Sequence, residues 1–427
     1  MTIDLTPARC HPERDAARQA RPFRSWLGLP GLVGALATCH FVSRAGGFVQ
    51  TFLVLYLTQE RRLSPATAGA VAAAVGAGTV GSLLIGGWLS DRIGRRHTMV
   101  AGFSGTALAL IALGSADTMP AIWVSAVGVG LASELFRPAG SATVADLPRP
   151  RERIRAFGLL FWAANLGFSV STVTGGVLAQ HGYRLLFWLN AAASATAALI
   201  VWRRVPETRP PTPRARRRAL LPVVFRDRLM IALVLIFVAH FSVFSQAFST
   251  LPLVMAAGGL GAATYGAVLA GNGIVILAAQ PLAVRVLAGR DRYTVLSVSM
   301  LLVGFGFGLG AVVHSGAGYA GSVLVWTVGE VGVAVMFGAT FADLAPADLR
   351  GGYMGVAATT WGVGSVLGPL LGTALLGRAG PALLWLGCAL TGITLFAAQQ
   401  AAAPALRRRT SQQDPPPGTG ASRGERR

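Results

Sequence analysis

The sequence predicts an all-α integral membrane protein: twelve transmembrane helices in two pseudo-symmetric six-helix bundles. Three observations predict it. The chain contains a series of apolar runs of bilayer-spanning length, a one-sided distribution of arginine, and an internal repeat in which the second half echoes the first.

The apolar runs come first. Of 427 residues, 53% are hydrophobic and only 13% charged, whereas soluble domains carry about a quarter charged residues. A helix needs about 20 mostly apolar residues to cross the hydrocarbon core. Spans 1 to 6 are expected near 31–57, 66–90, 98–115, 119–143, 156–180 and 185–202. Spans 7 to 12 are expected near 229–257, 264–287, 294–313, 319–342, 352–377 and 381–400. The runs are too long for strands and lack two-residue alternation. The domains follow: a tail at 1–30, a first bundle at 31–202, a linker at 203–228, a second bundle at 229–400 and a tail at 401–427.

The arginines orient these spans. The formal net charge is +20, and every basic residue other than histidine is arginine. On the expected topology 31 of 37 arginines lie in the tails and loops of one face, and four (Arg61, Arg62, Arg184, Arg378) lie on the other. By the positive-inside rule the Arg-rich face, with both termini, is expected to be cytoplasmic in the cell (inner or plasma) membrane. That explains the charge without nucleic acid, which is not expected as a partner. The linker, with "RPPTPRARRR", is expected to touch anionic membrane lipid. The tail after residue 401 is expected to be disordered. Residues 1–30 are polar and Arg-rich, so a removable signal peptide is not expected.

Composition also excludes chemistry. Lysine is absent, which rules out a Walker A phosphate site and Schiff-base catalysis. Cys10, Cys39 and Cys388 are far apart and suggest neither a disulfide framework nor a zinc site. No GxSxG, HExxH or metal-ligand spacing occurs, so no enzyme, metal or cofactor is expected.

The repeat explains the two bundles. "ATVADL" at 142–147 returns as "ATFADL" at 339–344. The same offset carries Gly158 to Gly355, Gly167 to Gly364, Gly175 to Gly372 and Trp188 to Trp385. Gly76 and Gly78 return as Gly271 and Gly273, and "HF" at 40–41 as "HF" at 240–241. Each half has an even number of spans, so the two are parallel repeats about an axis along the membrane normal. Rocking transporters are built this way, with the substrate between the halves near the midplane.

"GGWLSDRIGRR" at 86–96 resembles the loop 2–3 signature of the major facilitator superfamily, in Gly87, Leu89, Asp91, Arg92, Gly94, Arg95 and Arg96. "RPAGSA", with Arg137, resembles that family's span-four arginine motif. Span 5 resembles its antiporter motif through Gly167, Gly175 and Gly176, but Ser171 and Thr172 replace a Gly and a Pro. Span 11 keeps the pattern as Gly364, Gly368, Pro369 and Gly372. "SRAGGFVQTFLVLYL" in span 1 and "GE" in span 10 resemble bacterial drug:proton antiporters. The resemblance covers about 30–400. It implies that spans 1, 4, 7 and 10 line a central cavity. It also implies that Asp91 and the loop arginines latch the two halves on the cytoplasmic side when the cavity opens outward. Gly87 is expected to allow close helix approach, and Gly94 a tight turn. The glycines of spans 5 and 11, with Pro369, are expected to serve packing and hinge motion.

Deep ionisable groups are the second pointer to function, because charges at a helix centre cost about 2.5–3.5 kcal/mol on insertion scales. There are six: His40 and Arg44 in span 1, Glu134 and Arg137 in span 4, His240 in span 7 and Glu330 in span 10. His40/Arg44 and Glu134/Arg137 each share a helix face by spacing. Glu134 is expected to compensate Arg44 or Arg137. Glu330 has no basic residue in its own span and is the first choice for carrying a proton; His240 and Glu134 come second. The bland alternatives are helix-fixing ion pairs and satisfied packing histidines. Trp162, Trp326 and Trp361 are candidates for stacking on a substrate.

The expected function is secondary active transport by alternating access, as proton-coupled efflux of a small drug-like or secondary-metabolite molecule by a monomer. One alternative is a proton symporter or importer of a sugar, amino acid or organic anion, the anion being suited by Arg44 and Arg137. Another is a non-transporting membrane sensor or scaffold.

Overall fold

The computed structural model describes residues 29, 31–145, 150–207, 223–224, 226–287, 289–346 and 349–413. Among them there are helices and turns and no strand. Eleven helical elements are long and apolar enough to cross a bilayer. The last of these, Gly352–Thr410, has 59 residues. At 1.5 Å per residue it would reach about 90 Å, against a hydrocarbon core of about 30 Å. It turns at Gly380, with φ 77° and ψ 175°, so it contains two crossings and the described residues make twelve.

Local sequence sets the helix ends. Ser64, Asp227, Asp291 and Ser315 cap span starts by accepting the backbone N–H of Thr67, Met230, Thr294 and Gly318. Each such bond satisfies one of the orphan amides at a helix N-terminus. Gly94, at φ 97°, turns the chain between spans 2 and 3, in a region that disfavours any side chain.

The buried core has a shape that bears on function. At the end away from the Arg-rich face, one continuous cluster takes in both halves, from Phe52 and Phe187 to Tyr265, Phe307 and Trp326. Towards the Arg-rich face the core divides into two. One part belongs to the first half, around Val33, Phe103 and Val201, and the other to the second half, around Met230, Met336 and Tyr353. The halves are joined at one end and separate at the other.

The joined end is a glycine seam. A methyl group on Gly76 of span 2 would fall 2.7 Å from the Ser365 carbonyl oxygen of span 11. One on Gly176 of span 5 would fall 2.8 Å from the Ala262 carbonyl oxygen of span 8. The Tyr265 hydroxyl stands between the Ala247 carbonyl of its own half, 2.9 Å, and the Thr51 carbonyl across the seam, 3.3 Å, and donates to one at a time. Backbone approach this close needs the absence of a side chain.

The expected disorder after residue 401 is corrected in part. The helix continues to Gln413, and residues 414–427 lie outside the described residues. Ala403 and Leu406 are buried in the second-half core, and apolar burial outweighs the polar composition of the tail. Arg407 pairs with Asp291 at 2.7 Å and Arg409 with Asp227 at 2.8 Å. The tail thus fastens the starts of spans 9 and 7. Of the other expected polar segments, residues 1–28 and the linker stretch 208–222 lie outside the described residues, as do Asp146 and Leu147 of the first repeat.

Arg407, followed by the Thr294 groups, holds the Asp291 carboxyl down at about 2. Burial pushes the Asp227 carboxyl up, but Arg409, the Tyr353 hydroxyl and the Met230 N–H outweigh it and hold the group below its ordinary value. Both pairings therefore contribute above the ordinary carboxylate range near 3.9, and the Asp291 contribution is lost as pH falls towards about 2. Arg407→Ala is expected to fray the tail helix, read as faster amide hydrogen exchange over 405–413 at neutral pH. Unchanged exchange would show that burial of Leu406 and the Arg409–Asp227 pair fix the tail without Arg407.

Candidate functional site

A cavity lies between the halves, with about 1210 Å³ of empty space, part of it open to solvent. The first half supplies a polar wall that includes Arg44, Gln50, Glu134, Asn190 and Ser194. The second half supplies Phe248 and Trp361 with the hydroxyls of Ser245, Ser249 and Ser365. Those hydroxyls donate to carbonyls of their own helices, Ser242, Ser245 and Trp361. Behind the two aromatic residues stand Phe241, 5.2 Å from Trp361, and Phe244, 6.0 Å from Phe248 (ring centroids).

Three of the four spans expected to line the cavity are interrupted. Span 1 is Gly31–Ala45 followed by Phe48–Leu55, with Gly46 and Gly47 between. Gly47 lines the cavity, and the Val49 N–H of the second segment is taken by Asn190 Oδ1 of span 6 at 3.3 Å. Span 4 breaks between Met119–Ser133 and Phe136–Ala145, at Glu134 itself. Span 7 breaks at Ser245 and Thr250. Non-helical backbone is tolerated at membrane depth only inside protein or along a wet cavity. Span 10, Gly316–Leu344, is continuous.

The six deep ionisable residues divide into one cluster and two outliers. Glu134 bridges two guanidinium groups, 3.6 Å to Arg44 and 3.1 Å to Arg137. Arg44 also donates to Gln50 Oε1 at 3.3 Å. Arg137 stands outside the cavity lining, with its side chain 49% exposed. His40, on the same face of span 1 as Arg44, packs edge-on to Phe136 at 5.3 Å. His240 is 2% exposed among Phe237 and Phe241, and its Nδ1 has no hydrogen-bond partner. Glu330 does not line this cavity. It accepts a 2.6 Å hydrogen bond from Asn272 Nδ2 of span 8, which also donates to Thr327. No cation stands at ion-pair distance from Glu330 among the described residues.

Of the tryptophans, Trp361 lines the cavity, Trp326 is buried against Phe307, and Trp162 is exposed and outside the cavity lining. The amides Asn190, Asn272 and Gln246 carry no charge and escape a search for ionisable groups. Their signal is polarity inside runs that are otherwise apolar.

The loop between spans 2 and 3 engages its own half. The Arg95 N–H donates to Glu207 Oε1 at 2.8 Å, and His97 Nδ1 lies 3.1 Å from Glu207 Oε2. Arg96 donates to the Trp202 carbonyl at 2.6 Å and lies over its ring. Arg92 lies over Trp88, and Asp91 is exposed with no ion pair among the described residues. Glu207, just past span 6, is a partner that the loop signature alone does not reveal. The expectation for Gly87 is corrected: nothing lies within 4 Å of a methyl group placed there, whereas one on Gly86 meets Pro138 at 2.9 Å. One residue along a helix rotates the position by about 100°.

The glycines of spans 5 and 11 do equivalent jobs in the two halves. A methyl group on Gly167 would fall 2.7 Å from the Phe41 carbonyl oxygen, and one on Gly175 2.6 Å from the Phe52 ring, both in span 1. On span 11, Gly364 meets the Phe241 backbone at 2.9 Å, Gly368 the Ser242 carbonyl oxygen at 2.6 Å and Gly372 the Gln246 amide carbon at 2.7 Å, all in span 7. Gly176 instead faces span 8 across the seam. Pro369 lines the cavity.

Known proteins share this architecture. The family model described as Major Facilitator Superfamily matches residues 36–369 and 247–425. An uncharacterized MFS-type transporter, YqjV of Bacillus subtilis (strain 168), is 27% identical over 384 residues, covering 87% of this chain and 91% of that protein. Multidrug resistance protein MdtH of Yersinia pestis (strain Pestoides F) is 30% identical over 172 residues, 40% of this chain and 43% of that protein. A crystal structure of a POT family transporter in complex with a thioalcohol conjugated peptide superposes with TM-score 0.77 at 17% identity, covering 91% of this chain and 99% of that one. The chain is a multi-pass membrane transporter, not an enzyme, and it belongs to the major facilitator superfamily.

Proposed function

We propose that the chain exports small amphipathic molecules by alternating access, coupled to protons. It would work as a monomer in the cell membrane, among lipids that its basic face attracts, with both termini in the cytoplasm. The observation that carries this reading is the joined core at one end and the divided core at the other, with a cavity between the halves that both line. With the Arg-rich face cytoplasmic, this is a cavity open to the cytoplasm, where an exporter loads. The relative named for multidrug resistance supports the cargo class.

Glu330 is assigned the proton, with Glu134 and His240 second. Its carboxyl is held by an amide rather than by a cation, so it can be neutralised without stranding a positive charge. Asp91 and the loop arginines, exposed or docked on the first half here, are assigned the latch of the opposite state.

In vesicles with an imposed proton gradient, Glu330→Gln is expected to abolish gradient-driven accumulation while retaining exchange of labelled for unlabelled cargo. Unchanged gradient-driven flux would remove Glu330 from coupling. Proton release opposite to cargo flux supports export by antiport. Movement of both together supports the second reading, proton-linked uptake of an organic anion, which the two arginines on Glu134 favour.

A further inference from the structure

We propose that the cargo is an amphipathic organic anion, its acid group on the Arg44–Arg137 side of the cavity and its planar apolar part against Phe248 and Trp361. The proposal rests on the transport reading and holds whichever way the cargo moves.

The charges decide the sign. Glu134 is the single carboxylate against two guanidinium groups, and each of its oxygens faces one of them. One positive charge is left over. Arg44 and Glu134 are the basic and acidic side chains of the cavity lining among the described residues, Arg137 stands behind Glu134 just outside it, and Glu330 is turned to Asn272. Half of the Arg137 side chain remains open to solvent.

The opposite wall decides the shape. Phe248 and Trp361 are supported from behind by Phe244 and Phe241, and the nearby hydroxyls are spent on their own helices. Aromatic faces also attract cations. Here a cation would meet the spare positive charge opposite, with no free carboxylate to receive it.

Three naphthalene probes of matched ring and size test this: 2-naphthoate, 2-naphthalenemethanol and 2-naphthylmethylammonium. Their binding to the full chain in phosphatidylcholine nanodiscs is measured by calorimetry with no proton gradient. The naphthoate is expected to bind about tenfold or more tightly than the alcohol, and the ammonium more weakly than the alcohol, as one unit charge at cavity distance implies. Arg137→Gln, which leaves Arg44 and Glu134 as a balanced pair, should bring naphthoate and alcohol to within about twofold, while Arg137→Lys keeps the preference. Trp361→Ala should weaken all three together without changing their order. The proposal is overturned if the ammonium binds as tightly as the naphthoate, if the order survives Arg137→Gln, or if naphthoate fails to bind. Correct binding order with no flux of any probe in vesicles would defeat the transport reading alone. Flux of cations without preference for anions would defeat this proposal alone.

Discussion

Replacing Gly76 with leucine is expected to force open the end of the cavity that the structure holds shut. A side chain there meets the Ser365 carbonyl and the backbone of span 11, which cannot rotate away as a flexible side chain can. Overpacking of this kind costs about 1–3 kcal/mol, a shift of roughly 5- to 150-fold between two conformations at RT ≈ 0.59 kcal/mol. The penalty applies only while the seam is closed, so it changes the balance between states more than the stability of either half. Spin labels at Ala66 and Arg378, both exposed near the ends of spans 2 and 11, report the separation by double electron–electron resonance. A longer distance population is expected in Gly76→Leu. Gly87→Leu, with open space around it, should leave the distance short. If both variants match the parent chain, the seam is not what closes that end.

The second large effect is expected at Glu134. Glu134→Gln leaves Arg44 and Arg137 facing each other with no counter-charge. Removing one member of a fully buried ion pair costs about 3–5 kcal/mol. The Arg44 and Arg137 side chains are 30% and 49% exposed, so solvent screening brings the cost nearer about 1–2 kcal/mol. Thermal unfolding in detergent, followed by tryptophan fluorescence, should show a clear fall in midpoint. Adding Arg137→Gln removes one of the stranded charges and should recover part of the loss. A double variant whose loss equals the sum of the two single losses would mean that the three groups do not act as one cluster.

The spans and the pairing of halves were legible because they depend on quantities that sequence carries directly: run length, arginine placement and repeat offset. The glycines of spans 5 and 11 were legible for the same reason, since a small residue recurring at fixed spacing marks close contact. The interruptions in spans 1 and 4 were not. Gly46–Gly47, and Pro138 four residues past Glu134 and so without an N–H for its carbonyl, weaken the helix at both places, but neither fixes where it breaks. What holds the first open is Asn190 from span 6, a partner 141 residues away. Glu330 shows another limit: its depth follows from position along span 10, but the side it faces depends on helix rotation, and Asn272 claims it. Equivalence in the repeat also stops short of side-chain environment. Trp188 is exposed, whereas its counterpart Trp385 is buried beside Phe307.

These ion pairs each join residues of one half: Arg44 and Arg137 meet Glu134, Arg61 meets Asp117, Arg292 meets Asp343, and the helix tail after span 12 returns to Asp227 and Asp291. The seam between halves is made of shared apolar packing, glycine contacts and the Tyr265 hydroxyl. Each bundle therefore carries its own electrostatic fastening as a rigid body. Parting the seam breaks none of these pairs. Salt, which screens exposed pairs over about 8–10 Å, should soften the rim of each bundle yet leave the rate of opening at the seam almost unchanged.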